Sequence, residues 1–420
     1  MKPRTLRVLL SAYQCGPGMG SVSQIGWEWY SRLSESASVT LVTHIRNREC
    51  LQAAGAPLPG TEIIYIDTEW FAGFLYRLAS RLFPRSEHAV FLLSSADFYL
   101  FDAVALRTLR KRDLNWDLIH AVTPVSPVAA TRLYRLGIPL IVGPWNGGLA
   151  SPSAFPELMR QDSAWIYQAR HIGKLVGRLF GCTRKASLIL SATRSTDRSL
   201  PKNVPTVRML ENGVDLKRFH SSTWDVIPSK TTPLKVLFVG RLLPFKGVSL
   251  LLEAVSRVWQ EIPITLTIVG DGSMREDLKR RAHELHLDDH VTFLGNLPSG
   301  QVAEQMRNAH VFCLPSIRES GGGVLLEAAA SGLPVVAVNY GGPAEIVDEE
   351  VGHLVSADGP EQLIAGLVET FGDIWKNPAQ WQQRGKRGRQ KAEKEYGWEV
   401  RMRNAIAIYW RILGEDTAHA

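Results

Sequence analysis

Short apolar runs alternate with longer amphipathic stretches through the second half of the chain. The runs are Lys235–Val239, Thr265–Val269, Val291–Phe293, Val311–Leu314 and Pro334–Ala337. Continuous rather than alternating hydrophobicity marks strands covered on both faces, and strands separated by helices build a parallel sheet. The first half repeats the pattern with Leu6–Ala12, Val39–Thr43, Glu62–Ile66, Leu118–His120 and Pro139–Val142. The stretch from Trp70 to Arg112 is long for one crossover and predicts two helices. The fold class that follows is α/β, with two doubly wound, Rossmann-like parallel-sheet domains. Such sheets bind ligands beyond the carboxyl ends of their strands. Arg241, Asp271 and Glu319 all fall just after predicted strands.

Glu319-Ser-Gly-Gly-Gly-Val-Leu-Leu-Glu327 follows the run ending at Pro315 and leads into Ala328-Ala-Ala-Ser-Gly-Leu-Pro334. Gly332 and Pro334 read as the close of a short helix and the opening of the next strand. Gly321, Gly322 and Gly323 then open that helix, and unpaired N–H groups at a helix start favour phosphate. Glu319 in the loop and Glu327 one turn into the helix suit hydroxyls rather than phosphate. Phosphate-binding amides flanked by two such carboxylates fit a sugar nucleotide.

Gly240-Arg-Leu-Leu-Pro-Phe-Lys-Gly247 supplies two cations after another strand. Arg241 can grip a diphosphate by two bonds and Lys246 adds a point charge, so the pair can hold a leaving diphosphate. Taken alone they read as solvated loop charges; the glutamate–glycine segment downstream reverses that reading. Gly270 and Gly272 suit close approach to a nucleotide base. Gly16, Gly18 and Gly20 follow the first strand, either as a ligand-lining loop or as an ordinary turn. Trp145, beside Gly147 and Gly148, stacks on a sugar or simply packs. His120 ends a strand, where it serves either an acceptor or donor sugar or a buried backbone contact; His44 is a weaker candidate. Glu345, after Gly341-Gly342, faces a cleft or solvent.

In order, the chain carries Asn212-Gly-Val-Asp215, Gly240-Arg241…Lys246-Gly247, Val269-Gly-Asp-Gly272, Val291-Thr-Phe-Leu-Gly295, the Glu319/Glu327 pair, and Leu333-Pro-Val-Val-Ala…Gly341-Gly-Pro-Ala-Glu-Ile-Val347. This series resembles the retaining glycosyltransferases of family 4, which have the two-domain GT-B fold. The likeness is dense from Glu211 to Val355. It departs at Gly321, where the family often has an aromatic. The resemblance implies that Glu319 meets the donor sugar, Glu327 the ribose, and Arg241 and Lys246 the pyrophosphate. It also implies that the loop of Gly18 and Gly20 lines an interdomain cleft. The expected organisation is 1–210 for an acceptor-side domain, 211–397 for the nucleotide-sugar domain, and 398–420 for a helix crossing back.

The 420 residues are 45% hydrophobic, enough for two cores, and no apolar run reaches the about 18 residues that span a bilayer. The opening Met1–Leu10 reads as a first strand rather than a signal peptide, which places the protein in the cytoplasm. Cys15, Cys50, Cys182 and Cys313 show no metal or redox spacing. Of the 48 Lys and Arg, 27 stand in residues 1–220 with 16 of the 41 Asp and Glu, a balance of +11 against −4 beyond. An anionic partner follows. No nucleic-acid motif accompanies the charge, whereas Phe74–Phe83 and His171–Phe180 mix Arg or Lys with apolar residues at helical spacing. Each fits an anionic membrane surface, or a helix packed on its own domain.

The expected function is retaining transfer of a sugar from a nucleoside-diphosphate sugar to a hydroxyl of a glycan or lipid-linked glycan, in cell-surface polysaccharide synthesis. No metal or other cofactor is required. The rivals are a nucleotide-sugar epimerase with a similar cleft, and a non-catalytic membrane-associated scaffold.

Overall fold

The computed structural model describes residues 4–82, 96–150, 152–161, 182–220, 224 and 226–415. The predicted segment His171–Phe180 lies outside the described residues. The chain divides into two compact units. One comprises Met1–Gly148, Ser163–Glu211 and Met402–Ala420; the other comprises Leu149–Asp162 and Asn212–Arg401.

The first unit is built on seven strands: β1 (Arg7–Ala12), β2 (Ser38–His44), β3 (Glu62–Ile66), β4 (Leu118–Thr123), β5 (Leu140–Trp145), β6 (Leu188–Ser191) and β7 (Thr206–Arg208). They form one parallel sheet in the order β3-β2-β1-β4-β5-β6-β7. Every β1 side chain after Arg7 is buried, as continuous hydrophobicity in a two-sided sheet requires. Leu9, Val42, Phe101, Ile119, Val142 and Ile189 share one core cluster.

The second unit holds β8 (Leu234–Val239), β9 (Ile264–Val269), β10 (Val291–Gly295), β11 (Val311–Leu314), β12 (Val335–Val338) and β13 (Gly352–Val355). These too are parallel, in the order β10-β9-β8-β11-β12-β13. The helix Val248–Val258 buries Leu251, Leu252, Ala254 and Val255. Gly323–Ala330 is buried along Leu325, Leu326 and Ala328–Ala330.

Both sheets are doubly wound. The order reverses between β1 and β4 in one and between β8 and β11 in the other, and a crevice opens at such a reversal. The loops after β8 and β11 carry the Arg241–Gly247 and Glu319–Gly323 segments. Topology alone therefore sets the predicted cations beside the predicted carboxylate.

Candidate functional site

Backbone contacts bolt the two loops of the second unit together. The amide of Ile317 donates to the carbonyl of Phe245 at 3.0 Å. Gly247 has φ +68°, and a Cβ there would lie 2.2 Å from the carbonyl oxygen of Pro315. Only glycine permits that approach, and it fixes Lys246 against the end of β11. From the other side, the amide of Gly342 donates to the carbonyl of Glu319 at 2.9 Å. Side chains on Gly341 and Gly342 would meet the carbonyls of Glu319 and Ser320 at 2.3 and 2.4 Å. Gly247 thus holds the end of β11 on one side, and the Gly341–Gly342 pair holds the Glu319 backbone on the other.

The Lys246 ammonium donates to Oε2 of Glu319, and both side chains are largely shielded from solvent. Oε1 of Glu319 accepts from the amide of Gly322 at 3.3 Å. Burial alone would raise the pKa of this carboxyl. The Lys246 charge and hydrogen bond, with the amides of Gly322 and Gly321, outweigh it and hold the group below the usual carboxylate range. Glu319 is therefore a fixed anion, with lone pairs remaining for a hydroxyl donor. Gly322 adopts the left-handed conformation (φ 59°) that turns the chain into the helix Gly323–Ala330. Glu319 shares this amide-lined corner, so the Gly321–Gly323 turn serves the carboxylate as well as any phosphate.

Glu327 stands one turn into the same helix. Burial raises its pKa to about 7, against the opposing charge of Arg218. Arg218 was not among the predicted site residues. Its only signal in the sequence is its place three residues after Asp215, whose Oδ1 accepts from the amides of Lys217 and Arg218 at 3.0 and 3.2 Å. That turn closes the Asn212-Gly-Val-Asp215 motif. Asn212 packs at the helix start, since a Cβ on Gly323 would lie 3.1 Å from its Nδ2. Gly213 lies against the ring of Trp398. Arg241 follows β8 and is exposed. Asp271 follows β9, held ionised by the amide of Gly272 at 2.7 Å and by Arg275 at 2.6 Å.

Several predicted residues take other roles. A Cβ on Gly270 (φ +131°) would stand 1.9 Å from the carbonyl oxygen of Gly240, and Gly240 itself presses on the Phe238 ring. Strand packing accounts for both glycines without a ligand. His120 has no exposed surface; its Nε2 donates to the carbonyl of Gly143 at 2.7 Å and its Nδ1 accepts from Tyr409 at 2.6 Å. Burial lowers its pKa to about 4, which keeps the ring neutral. With both nitrogens engaged and no access, the expected catalytic role of His120 gives way to a structural one. His44 is likewise buried, bonded to Thr68 and Arg46, with its pKa lowered to about 4 by burial and the Arg46 charge. Trp145 packs in the core of the first unit. Gly18 and Gly20 have φ of +75° and +106° in the open loop after β1, so their backbone conformation alone calls for glycine. Glu345 sits in the short helix Pro343–Ile346 behind Gly342. Among the described residues, no three His, Cys, Asp or Glu side chains are placed to hold a metal ion.

Two doubly wound units of this kind, with a cation–carboxylate corner at a strand reversal, define the GT-B class of α/β fold. Residues 223–388 match the family glycosyl transferases group 1. A phosphatidyl-myo-inositol mannosyltransferase of Mycobacterium tuberculosis is 34% identical over 210 residues, 49% of this chain and 54% of that protein. The chain spans about half the length of the curated relatives it matches. Likeness of fold extends further. A sucrose-phosphate synthase from Thermosynechococcus elongatus superposes with a TM-score of 0.66 at 20% identity, covering 97% of this chain and 99% of its own. HepE of Anabaena, solved in complex with UDP, gives 0.65 at 18% identity over 97% and 100%.

Proposed function

We propose that the chain is a retaining glycosyltransferase. It takes a sugar from a nucleoside-diphosphate sugar and joins it to a hydroxyl of a glycan or lipid-linked glycan at an anionic membrane surface, in cell-surface polysaccharide synthesis. The observation that carries this reading is the Lys246–Glu319 pair at the β8/β11 reversal, set on the amides that open the helix Gly323–Ala330. The group 1 match of the same domain supports it, and the mannosyltransferase relative supports a lipid-linked acceptor.

In this mechanism the bond between the sugar C1 and the diphosphate breaks while the acceptor oxygen attacks C1 on the same face. Arg241 and Lys246 stabilise the negative charge that grows on the departing diphosphate. They supply the positive charge that a divalent ion would otherwise bring, and no metal is required. Glu319, kept ionised by Lys246, holds the sugar hydroxyls. Glu327 takes the ribose. The acceptor proton passes to the leaving diphosphate, so no further base is needed.

The test is binding and turnover by the purified full chain. Calorimetric titration with nucleoside diphosphates should show binding, and Glu319→Gln should lower transfer by roughly 100- to 1,000-fold. Wild-type transfer by Glu319→Gln would remove the assignment.

A further inference from the structure

One helix of the first unit has its large side chains on the wrong side for a monomer in water. In the helix Glu69–Leu82, Ala72 and Ala79 are buried, while Trp70, Phe74, Leu78 and Leu82 are 71%, 53%, 41% and 59% exposed. These four stand four residues apart. Each step advances about 40° around the helix, so they form one stripe about 120° wide. Arg77 and Arg81 are exposed beside that stripe. Glu69, the only acidic residue of the helix, is paired with Arg46 at 3.4 Å. A contiguous exposed apolar face of this kind marks an interaction surface. Its sign is also set, because cations flank the stripe and residues 1–220 carry a balance of +11.

We propose that the helix Glu69–Leu82 is a docking element for an anionic lipid surface. Trp70, Phe74, Leu78 and Leu82 enter the boundary between headgroups and acyl chains, and Arg77 and Arg81 meet the headgroup phosphates. A helix lying in the interface needs this division: an apolar face, cations at its margin, and too little apolar length to span. The described residues hold no helix long and apolar enough to cross a membrane. A water-soluble protein partner would match the apolar stripe but gives the two arginines at its margin no phosphate to meet. The inference deepens the membrane part of the proposed function but does not depend on glycosyl transfer.

The experiment is flotation of the full chain with vesicles of phosphatidylcholine alone and with about a third phosphatidylglycerol, scored without reference to activity. Binding is expected only to the anionic vesicles and should weaken with salt. Phe74→Ser with Leu78→Ser, and separately Arg77→Glu with Arg81→Glu, should each lower the bound fraction at least roughly tenfold. Both doubly substituted chains should melt and bind nucleoside diphosphate as wild type does, since all four positions are exposed. Equal binding to neutral vesicles, or wild-type binding by either variant, overturns the proposal. So does a wild-type dimer in light scattering that Phe74→Ser with Leu78→Ser dissolves while vesicle binding is absent. Vesicle binding without any sugar transfer would leave the docking helix standing and count against the transferase reading alone.

Discussion

Two glutamates on one turn-and-helix segment are driven apart in charge by their surroundings. Glu319 accepts from Lys246 and from amides, so it stays ionised well below neutrality. Among the described residues Glu327 has no such donor, and burial lifts its pKa to about 7 against the charge of Arg218. A carboxyl whose pKa is raised by folding favours the native state most below its unfolded pKa. That advantage is lost as pH climbs through the folded pKa. Glu327 should therefore weigh on stability increasingly between about pH 4.5 and pH 7, and constantly above. Replacing it by Gln removes the titration. The melting temperature of Glu327→Gln, relative to wild type, should rise by roughly 2–4 °C between pH 5 and pH 8. A difference that stays flat across that range would show that Glu327 titrates as an ordinary carboxylate.

At the scale of elements, the site is made by glycines that let loops touch. Gly247 is the clearest case, since positive φ and a 2.2 Å approach to the Pro315 carbonyl both exclude a Cβ. Gly247→Ala should cost roughly 2–4 kcal/mol in denaturant titrations. It should also lower transfer, because Lys246 rides on the displaced turn. A loss below about 0.5 kcal/mol would show that the two loops are not locked. Much of this level was legible in the sequence. The central strands are continuous apolar runs, and their order along the chain fixed the parallel, doubly wound class. The Glu319–Glu327 spacing fixed a loop and the first turn of a helix. β7 and β13 were missed because Thr206–Arg208 and Gly352–Val355 carry only one and two apolar residues; β6, Leu188–Ser191, was missed although three of its four residues are apolar. The role of His120 was illegible for another reason. A strand-terminal histidine looks the same in sequence whether it faces a ligand or Tyr409, and its partner lies 289 positions away. Gly240 and Gly270 look like ligand-approach glycines, yet Gly270 approaches the backbone of Gly240 and Gly240 the ring of Phe238.

At the scale of the molecule, chemistry and charge are divided between the two units. The second unit holds the loops proposed to grip the diphosphate and the group 1 match; the first holds the basic excess and the exposed helix. Each has its own sheet and its own switch point, and the chain passes between them at Gly148–Leu149, at Asp162–Ser163, at Glu211–Asn212 and again within the helix Trp398–Ile412. A ligand that binds only the native state suppresses opening most where it makes contact. Saturating nucleoside diphosphate should accordingly slow amide exchange in Gly240–Gly247 and Ser320–Glu327 by at least roughly tenfold. It should leave β6 and β7 of the first unit near their unliganded rates. Lys246→Met should remove most of the slowing while leaving the exchange of the β8–β13 core as it was. Uniform slowing over both sheets would mean stabilisation without a local grip. Slowing confined to the first unit would move the donor site away from Lys246 and Glu319. Either pattern would break the link between the β8/β11 corner and the sugar nucleotide, because that link requires protection to begin at the two loops after these strands.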